Sequence, residues 1–153
     1  MNIRDILRDI EQKKSEWRVK QITEEIHENG EDRFLELEKA IREFSPLRRY
    51  YQEILYQDSL ASWLKSKYPD TAIEIQRGSS RPDIVVNNIA IEIKGPTSQR
   101  DLDSIPSKCM RYSQHFNQRV IVVLFDVQVG QRYYQEWEKG LKKTYPEAIV
   151  IRK

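Results

Sequence analysis

From Pro82 to Lys94 the chain reads Pro-Asp-Ile-Val-Val-Asn-Asn-Ile-Ala-Ile-Glu-Ile-Lys. Residues on either side of Asn87-Asn88 alternate with a period of two, which is the signature of strands. Asparagine tolerates positive φ, so Asn87-Asn88 suits a two-residue hairpin turn. Such a turn pairs Val86 with Ile89, Ile84 with Ile91 and Asp83 with Glu92. One face of the hairpin then carries Ile84, Val86, Ile89, Ile91 and Ile93, all apolar. The other gathers Asp83, Val85, Ala90, Glu92 and Lys94. A slip of one residue would scatter both sets, so this pattern admits one register.

That register sets Asp83 and Glu92 directly across from each other, with Cβ atoms roughly 5 Å apart. Adjacent like charges destabilise a sheet unless something neutralises them. A divalent cation does so. Mg²⁺ takes hard oxygen ligands and is commonly held by one or two carboxylates together with substrate phosphate. The backbone carbonyl of Ile93 offers a further oxygen. Lys94, on the same face as Glu92, is placed to hold or polarise a water attacking phosphorus. The plainer alternative is a surface hairpin in which Lys94 bridges two solvated acids. Val85 and Ala90 argue against it, because small apolar residues on that face imply cover.

Pro82-Asp83 followed by Glu92-x-Lys94 on a strand hairpin resembles the signature of the PD-(D/E)xK nuclease superfamily. The resemblance covers about residues 46 to 127. It implies an α/β fold with a restriction-endonuclease-like core (helix, three-stranded meander, helix, strand). It also implies Mg²⁺ as cofactor, with Mn²⁺ able to substitute. The activity implied is hydrolysis of phosphodiester bonds, in DNA first and RNA second, by a water activated by the cation. Internal rather than end-directed cutting is expected, with a 5′-phosphate and a 3′-hydroxyl on the products.

Relatives often carry an extra acid on the helix before the meander, and here Tyr56, Leu60 and Leu64 mark that helix. Glu53 falls near the apolar stripe and is the preferred third acid, with Gln57 one turn later on the same side. Asp58 competes for the role. At about 100° per residue it lies far round the helix from Glu53, so only one of the two faces inward. Many relatives also have Gln-x-x-x-Tyr on the helix after the meander. This chain has Lys108-x-x-x-Tyr112 there.

The remaining sequence frames this unit. Ile3, Ile6, Leu7, Ile10 and Trp17 recur at helical spacing, continued by Ile22 and Ile26, with Asn29-Gly30 as a stop. A second helix carries Phe34, Leu37, Ile41 and Phe44. Ser45-Pro46 then reads as N-cap and first residue of the next helix. Strands are expected at Ala72 to Gln76, in the hairpin, and from Arg119 to Val127, whose apolar run implies burial on both faces. A helix of about 132 to 143 and a strand at Ala148 to Ile151 close the pattern. Residues 1–45 are thus a helical extension and 46–153 the nuclease-like domain. Trp17 either anchors a homodimer interface or fills an internal core.

The single cysteine, Cys109, excludes an intramolecular disulfide, and its helical setting favours a core residue over a nucleophile. His27 and His115 sit in no metal-ligand pattern. The N-terminus lacks an apolar signal region and no run approaches membrane-spanning length, so a soluble cytoplasmic protein with no membrane partner is expected. Residues 1–45 hold 9 Lys/Arg against 12 Asp/Glu, whereas residues 46–153 hold 17 against 12. The nuclease-like part is the basic part, as phosphate binding favours. Arg77, Arg81, Arg100, Lys108 and Arg111 flank the acids as candidate phosphate contacts, with Ser79 and Ser80 offering backbone N–H groups. The competing class is a binding module that uses a nuclease fold without catalysis.

Overall fold

The structure is a computed structural model that describes residues 2–116 and 119–153, with the side chains of residues 26–29 outside that description. Asn87 and Asn88 both adopt positive φ, 50° and 64°, and turn the chain in two residues. The hairpin takes the register the alternation dictates: Ile84 faces Ile91, Val85 faces Ala90 and Val86 faces Ile89. These residues form β2 (Ile84–Val86) and β3 (Ile89–Lys94), preceded by β1 (Ala72–Ile73). β1 pairs antiparallel with β2, which completes a three-stranded meander.

β1 is shorter than the expected Ala72 to Gln76. Glu74 sits at φ 52°, outside the strand region, and bends the chain away while its N–H still reaches the Asp83 carbonyl at 3.1 Å. β4 (Ile121–Leu124) lies parallel to β3, and β5 (Ile149–Arg152) parallel to β4. Parallel neighbours need a crossover. The segments between them supply α3 (Gln99–His115) and α4 (Gln131–Thr144). The sheet therefore runs in the order β1-β2-β3-β4-β5 and is mixed. All four residues of β4 are fully buried, as their unbroken apolar run implies.

Both faces of the sheet are covered. α2 (Glu53–Lys67) packs on β3 and β1, and its Tyr56 ring stacks on Phe125 at 4.5 Å. Gly95 makes that packing possible. A Cβ there would stand 2.6 Å from the Tyr56 ring and 2.9 Å from the Phe125 Cβ, so only glycine fits. On the other face Val85, Ala90, Val122 and Leu124 join Leu102, Ile105, Cys109 and Tyr112 of α3 in one apolar cluster.

Pro106 sits inside α3 and has no N–H to offer the Leu102 carbonyl one turn earlier. Trp137 of α4 fills that vacancy, its indole N–H donating to Leu102 O at 2.8 Å. A defect in one helix becomes the bond that seats the next. At its start, α3 is fixed by a capping box in which Ser98 and Asp101 satisfy each other's backbone N–H groups.

Three expectations fail in the first third. The helix does not stop at Asn29-Gly30; α1 runs unbroken from Ile3 to Glu43. Glycine inside a helix costs only about 1 kcal/mol relative to alanine, and the flanking Glu, Asp, Arg and Leu residues tolerate or favour helix, so the signal is overridden. The side chain of Ile26, expected on the first stripe, lies outside the described residues. Ser45-Pro46 does not open a helix either. The chain stays irregular until Gln52, the N-cap of α2. Trp17 fills no core; it is 60% exposed, with Ile3 and Leu7 exposed beside it on the same stripe.

The chain divides into two compact units, Met1–Leu37 and Glu38–Lys153, a boundary earlier than residue 45. The first is helix alone. The second holds the sheet and the later helices. No helix among the described residues is long and apolar enough to cross a membrane.

Candidate functional site

Asp83 immediately precedes β2, and its Oδ2 accepts the Ile93 N–H at 2.7 Å. In a strand the N–H and C=O of one residue point to the same edge. Lys94 faces the β4 edge, where its carbonyl accepts the Phe125 N–H at 2.8 Å. Ile93 therefore faces the opposite edge, and its carbonyl lies on the Asp83 side. The cross-strand acid and the backbone oxygen converge as the hairpin register requires.

Glu92 is the buried hub, 1% exposed. Three groups reach its carboxylate: Lys108 Nζ ion-pairs with Oε1 at 2.5 Å, the Tyr112 hydroxyl donates to Oε2 at 2.8 Å, and Lys94 Nζ lies 3.6 Å from Oε1. Lys108 and Tyr112 are four residues apart on α3 and so share one helix face. The departure from Gln-x-x-x-Tyr in the sequence is thus a second cation placed on the same acid. Sequence reasoning assigned Lys108 to phosphate contact and gave Tyr112 no role. The i, i+4 spacing of the pair on the helix that follows the hairpin was the available signal.

Glu53 opens α2 and brings its Oε1 within 3.7 Å of Lys94 Nζ, its side chain 40% exposed. Asp58 lines a different surface, with Ala61, Lys65 and Thr71, so of the two candidate acids only Glu53 joins the cluster. Gln57 is buried, and its Nε2 has no hydrogen-bond partner among the described residues.

The electrostatics follow from this crowding. Burial, and then the neighbouring Glu92, push the Asp83 carboxyl up to about 7. Burial, with Glu92 adding to it, also raises Glu53 above the usual carboxylate range against the opposing pull of Lys94. Burial alone would lower Lys94. Glu53, Glu92 and Asp83 outweigh it and raise the ammonium above its ordinary value, so Lys94 stays protonated. Cys109 is also pushed up, to about 11, by burial and by Glu92, which makes it a core thiol and no nucleophile.

Among the other flanking residues described, only Arg81 is tied to this cluster, its carbonyl accepting from the Tyr112 hydroxyl at 3.4 Å. Arg77 hydrogen-bonds Asn88 Oδ1 and stacks over the Phe116 ring at 4.6 Å. Arg81 lies 3.7 Å from Glu74. Ser80 is fully buried; its hydroxyl donates to the Arg111 carbonyl at 3.0 Å and its amide to the Arg77 carbonyl at 2.9 Å, which leaves neither for phosphate. Arg111 is half-buried, with an Nε that has no hydrogen-bond partner among the described residues. Ser79 and Arg100 are exposed.

Among the described residues no group of three or more His, Cys, Asp and Glu is gathered tightly enough to mark a metal centre. The oxygens that do converge are Asp83, Glu92 and the Ile93 carbonyl, with Glu53 at the rim. They are hard donors of the kind Mg²⁺ selects. Burial first and Glu92 second raise the Asp83 carboxyl, and a divalent cation at these oxygens would oppose both. These are the residues that could hold a hard divalent cation, with Lys108 and Tyr112 already on the two Glu92 oxygens. No family model matches the chain, and no curated protein or solved structure matches it.

Proposed function

We propose that this chain is a divalent-cation-dependent nuclease of the PD-(D/E)xK type, hydrolysing phosphodiester bonds in nucleic acid, with DNA the first candidate substrate and internal cutting the expected mode. One observation carries the reading: Asp83 directly precedes the Ile84–Ile91 pair and its Oδ2 accepts the Ile93 N–H beside Glu92, with Lys94 3.6 Å from Glu92 and the Asp83 carboxyl raised to about 7. Perturbed carboxyls of this kind, gathered beside a lysine, are common where acids hold a metal or transfer protons. The order α2, meander, α3, β4 supports a restriction-endonuclease-like core.

In this reading Asp83, Glu92 and the Ile93 carbonyl hold Mg²⁺ or Mn²⁺, which when bound lowers the pKa of a coordinated water and offsets charge on the phosphate. Lys94, held protonated by three carboxylates, donates a hydrogen bond to the attacking water and stabilises charge growing on the phosphate oxygens. It is no general base. Glu53, beside Lys94 and open to solvent, assists as a further oxygen ligand at the rim. Tyr112 and Lys108 orient Glu92 from α3 and limit its rotamers.

A second reading keeps the fold as a non-catalytic binding module. It is favoured by the Lys108–Glu92 ion pair, which already partners one carboxylate oxygen that a metal needs. A divalent-cation titration separates the two. The nuclease reading expects thermal stability to rise in millimolar Mg²⁺ or Mn²⁺, and labelled DNA to be cut. Stability and DNA both unmoved would leave the binding module.

A further inference from the structure

The segment that leads into Glu53 reads Pro46-Leu47-Arg48-Arg49-Tyr50-Tyr51-Gln52. It forms no regular structure, and it displays side chains that folding alone does not require outside. Leu47 is 97% and Tyr51 89% exposed, and both arginines are exposed. The segment is nevertheless pinned. The Tyr50 N–H donates to the Tyr56 hydroxyl at 2.9 Å, the two rings meet edge to face at 5.1 Å, and the Arg48 guanidinium lies 5.6 Å over the Tyr50 ring.

This segment walls a cavity of about 430 Å³ that is also lined by Tyr56, Phe125, Asp126 and Lys153. Three cations (Arg48, Arg49 and Lys153) face one acid, Asp126, which pairs with Arg49 at 3.3 Å. Lys153 also donates to the Arg42 carbonyl. The stacked rings of Tyr56 and Phe125 line the wall next to β3: Phe125 bonds the Lys94 carbonyl, and Tyr56 lies against Gly95. The cationic cavity thus adjoins the end of the strand that carries Lys94. The segment that builds it ends at Glu53. Cationic grooves beside exposed aromatic rings are how proteins hold single strands, the cations tracking phosphate and the rings stacking unpaired bases.

We propose that residues 46–52 and this cavity form a docking site for single-stranded nucleic acid, with Arg48 and Arg49 holding backbone phosphate and Tyr51 stacking an unpaired base. This names the substrate form for the candidate site, and its link to cutting rests on the nuclease reading.

Fluorescence anisotropy with a labelled single strand of about 16 nucleotides and the matching duplex tests it, in EDTA so that nothing is cut, across a salt series. The wild type prefers the single strand. Tyr51→Ala weakens single-strand binding by about tenfold, within the range for one lost base stack, and leaves the salt dependence unchanged. Arg48→Ala/Arg49→Ala weakens it and flattens the slope of log K against log salt by about 1.4, or about 0.7 for each phosphate released. Arg48→Ala alone serves if the double variant melts early, because Arg49 holds Asp126. Equal binding by wild type and variants overturns the proposal. So does equal displacement by polyglutamate, which would make the patch a general polyanion surface. Cleavage is scored separately in Mg²⁺. A wild type that binds through these residues and never cuts removes the nuclease and keeps the docking site. A wild type that cuts while both variants bind and cut unchanged does the reverse.

Discussion

Asp83→Asn should make this protein more stable above neutral pH, and the size of the gain follows from the site. The Asp83 carboxyl titrates near 7 in the fold because of burial and Glu92, against the ordinary value of 3.8. An acid whose pKa is raised by folding holds its proton longer in the native state. Its favourable contribution is complete below about pH 4 and is lost as pH climbs through 7. At about 1.4 kcal/mol per unit, the ceiling on that loss is about 4 kcal/mol. Asparagine carries no charge at any pH and keeps an oxygen to accept the Ile93 N–H, as Asp83 Oδ2 does at 2.7 Å in the wild type. The neutral acceptor makes a weaker bond than a carboxylate, by about 1 kcal/mol. About 1.6 kcal/mol of that ceiling is already lost at pH 5, so the variant's advantage over the wild type should grow by about 1–3 kcal/mol between pH 5 and pH 8.5. For a domain of this length that is a rise of roughly 2–10 °C in Tm. Urea melts of both proteins from pH 5 to 8.5, without divalent cation, read the difference directly. A difference that stays flat across that range would refute the crowding argument. Added Mg²⁺ should close the gap at pH 8.5 by stabilising only the wild type.

Gly95→Ala should destabilise by about 1–3 kcal/mol, because its Cβ meets the Tyr56 ring at 2.6 Å and the Phe125 Cβ at 2.9 Å; chemical denaturation checks it. Trp137→Phe should cost about 1–2 kcal/mol by leaving the Leu102 carbonyl, which Pro106 cannot serve, without a donor; a thermal melt near the wild-type Tm would contradict this. The apolar stripe of Ile3, Leu7, Ile10 and Trp17 on α1 is exposed and should mediate self-association, as an interface anchored by an aromatic residue does. Sedimentation should find a dimer that Trp17→Glu dissociates, and a monomeric wild type would remove it.

How much of this was legible in the sequence differs by element. The hairpin was legible to the residue, because its period-2 pattern admits one register and Asn87-Asn88 supplies the φ values the turn needs. Helix angle showed that Glu53 and Asp58 could not both face inward and the apolar stripe favoured Glu53, and the structure brings only Glu53 to Lys94. What failed was punctuation. Asn29-Gly30 is a local signal worth about 1 kcal/mol, less than the propensity of the long polar helix that runs through it, and Ser45-Pro46 is followed by irregular chain up to Gln52. What stayed hidden was long-range: Lys108 and Tyr112 on Glu92, Trp137 on the Leu102 carbonyl, and the Arg48-Arg49 cavity all join residues that only the folded chain brings together.

The central claim is that the acids opposed on the hairpin and the lysine beside them cut nucleic acid with a divalent cation. Lys94→Met tests it most directly, because it removes the ammonium that sits 3.6 Å from Glu92 and 3.7 Å from Glu53 without removing any oxygen ligand. Wild type and variant are prepared identically, shown to be folded by circular dichroism, and incubated with labelled single-stranded and duplex DNA in Mg²⁺ and in Mn²⁺. The account predicts cleavage by the wild type in either cation, none in EDTA, and a fall of about 10²-fold or more in the variant. Cleavage at the wild-type rate by Lys94→Met, or none by the wild type on any substrate in either cation, would contradict it.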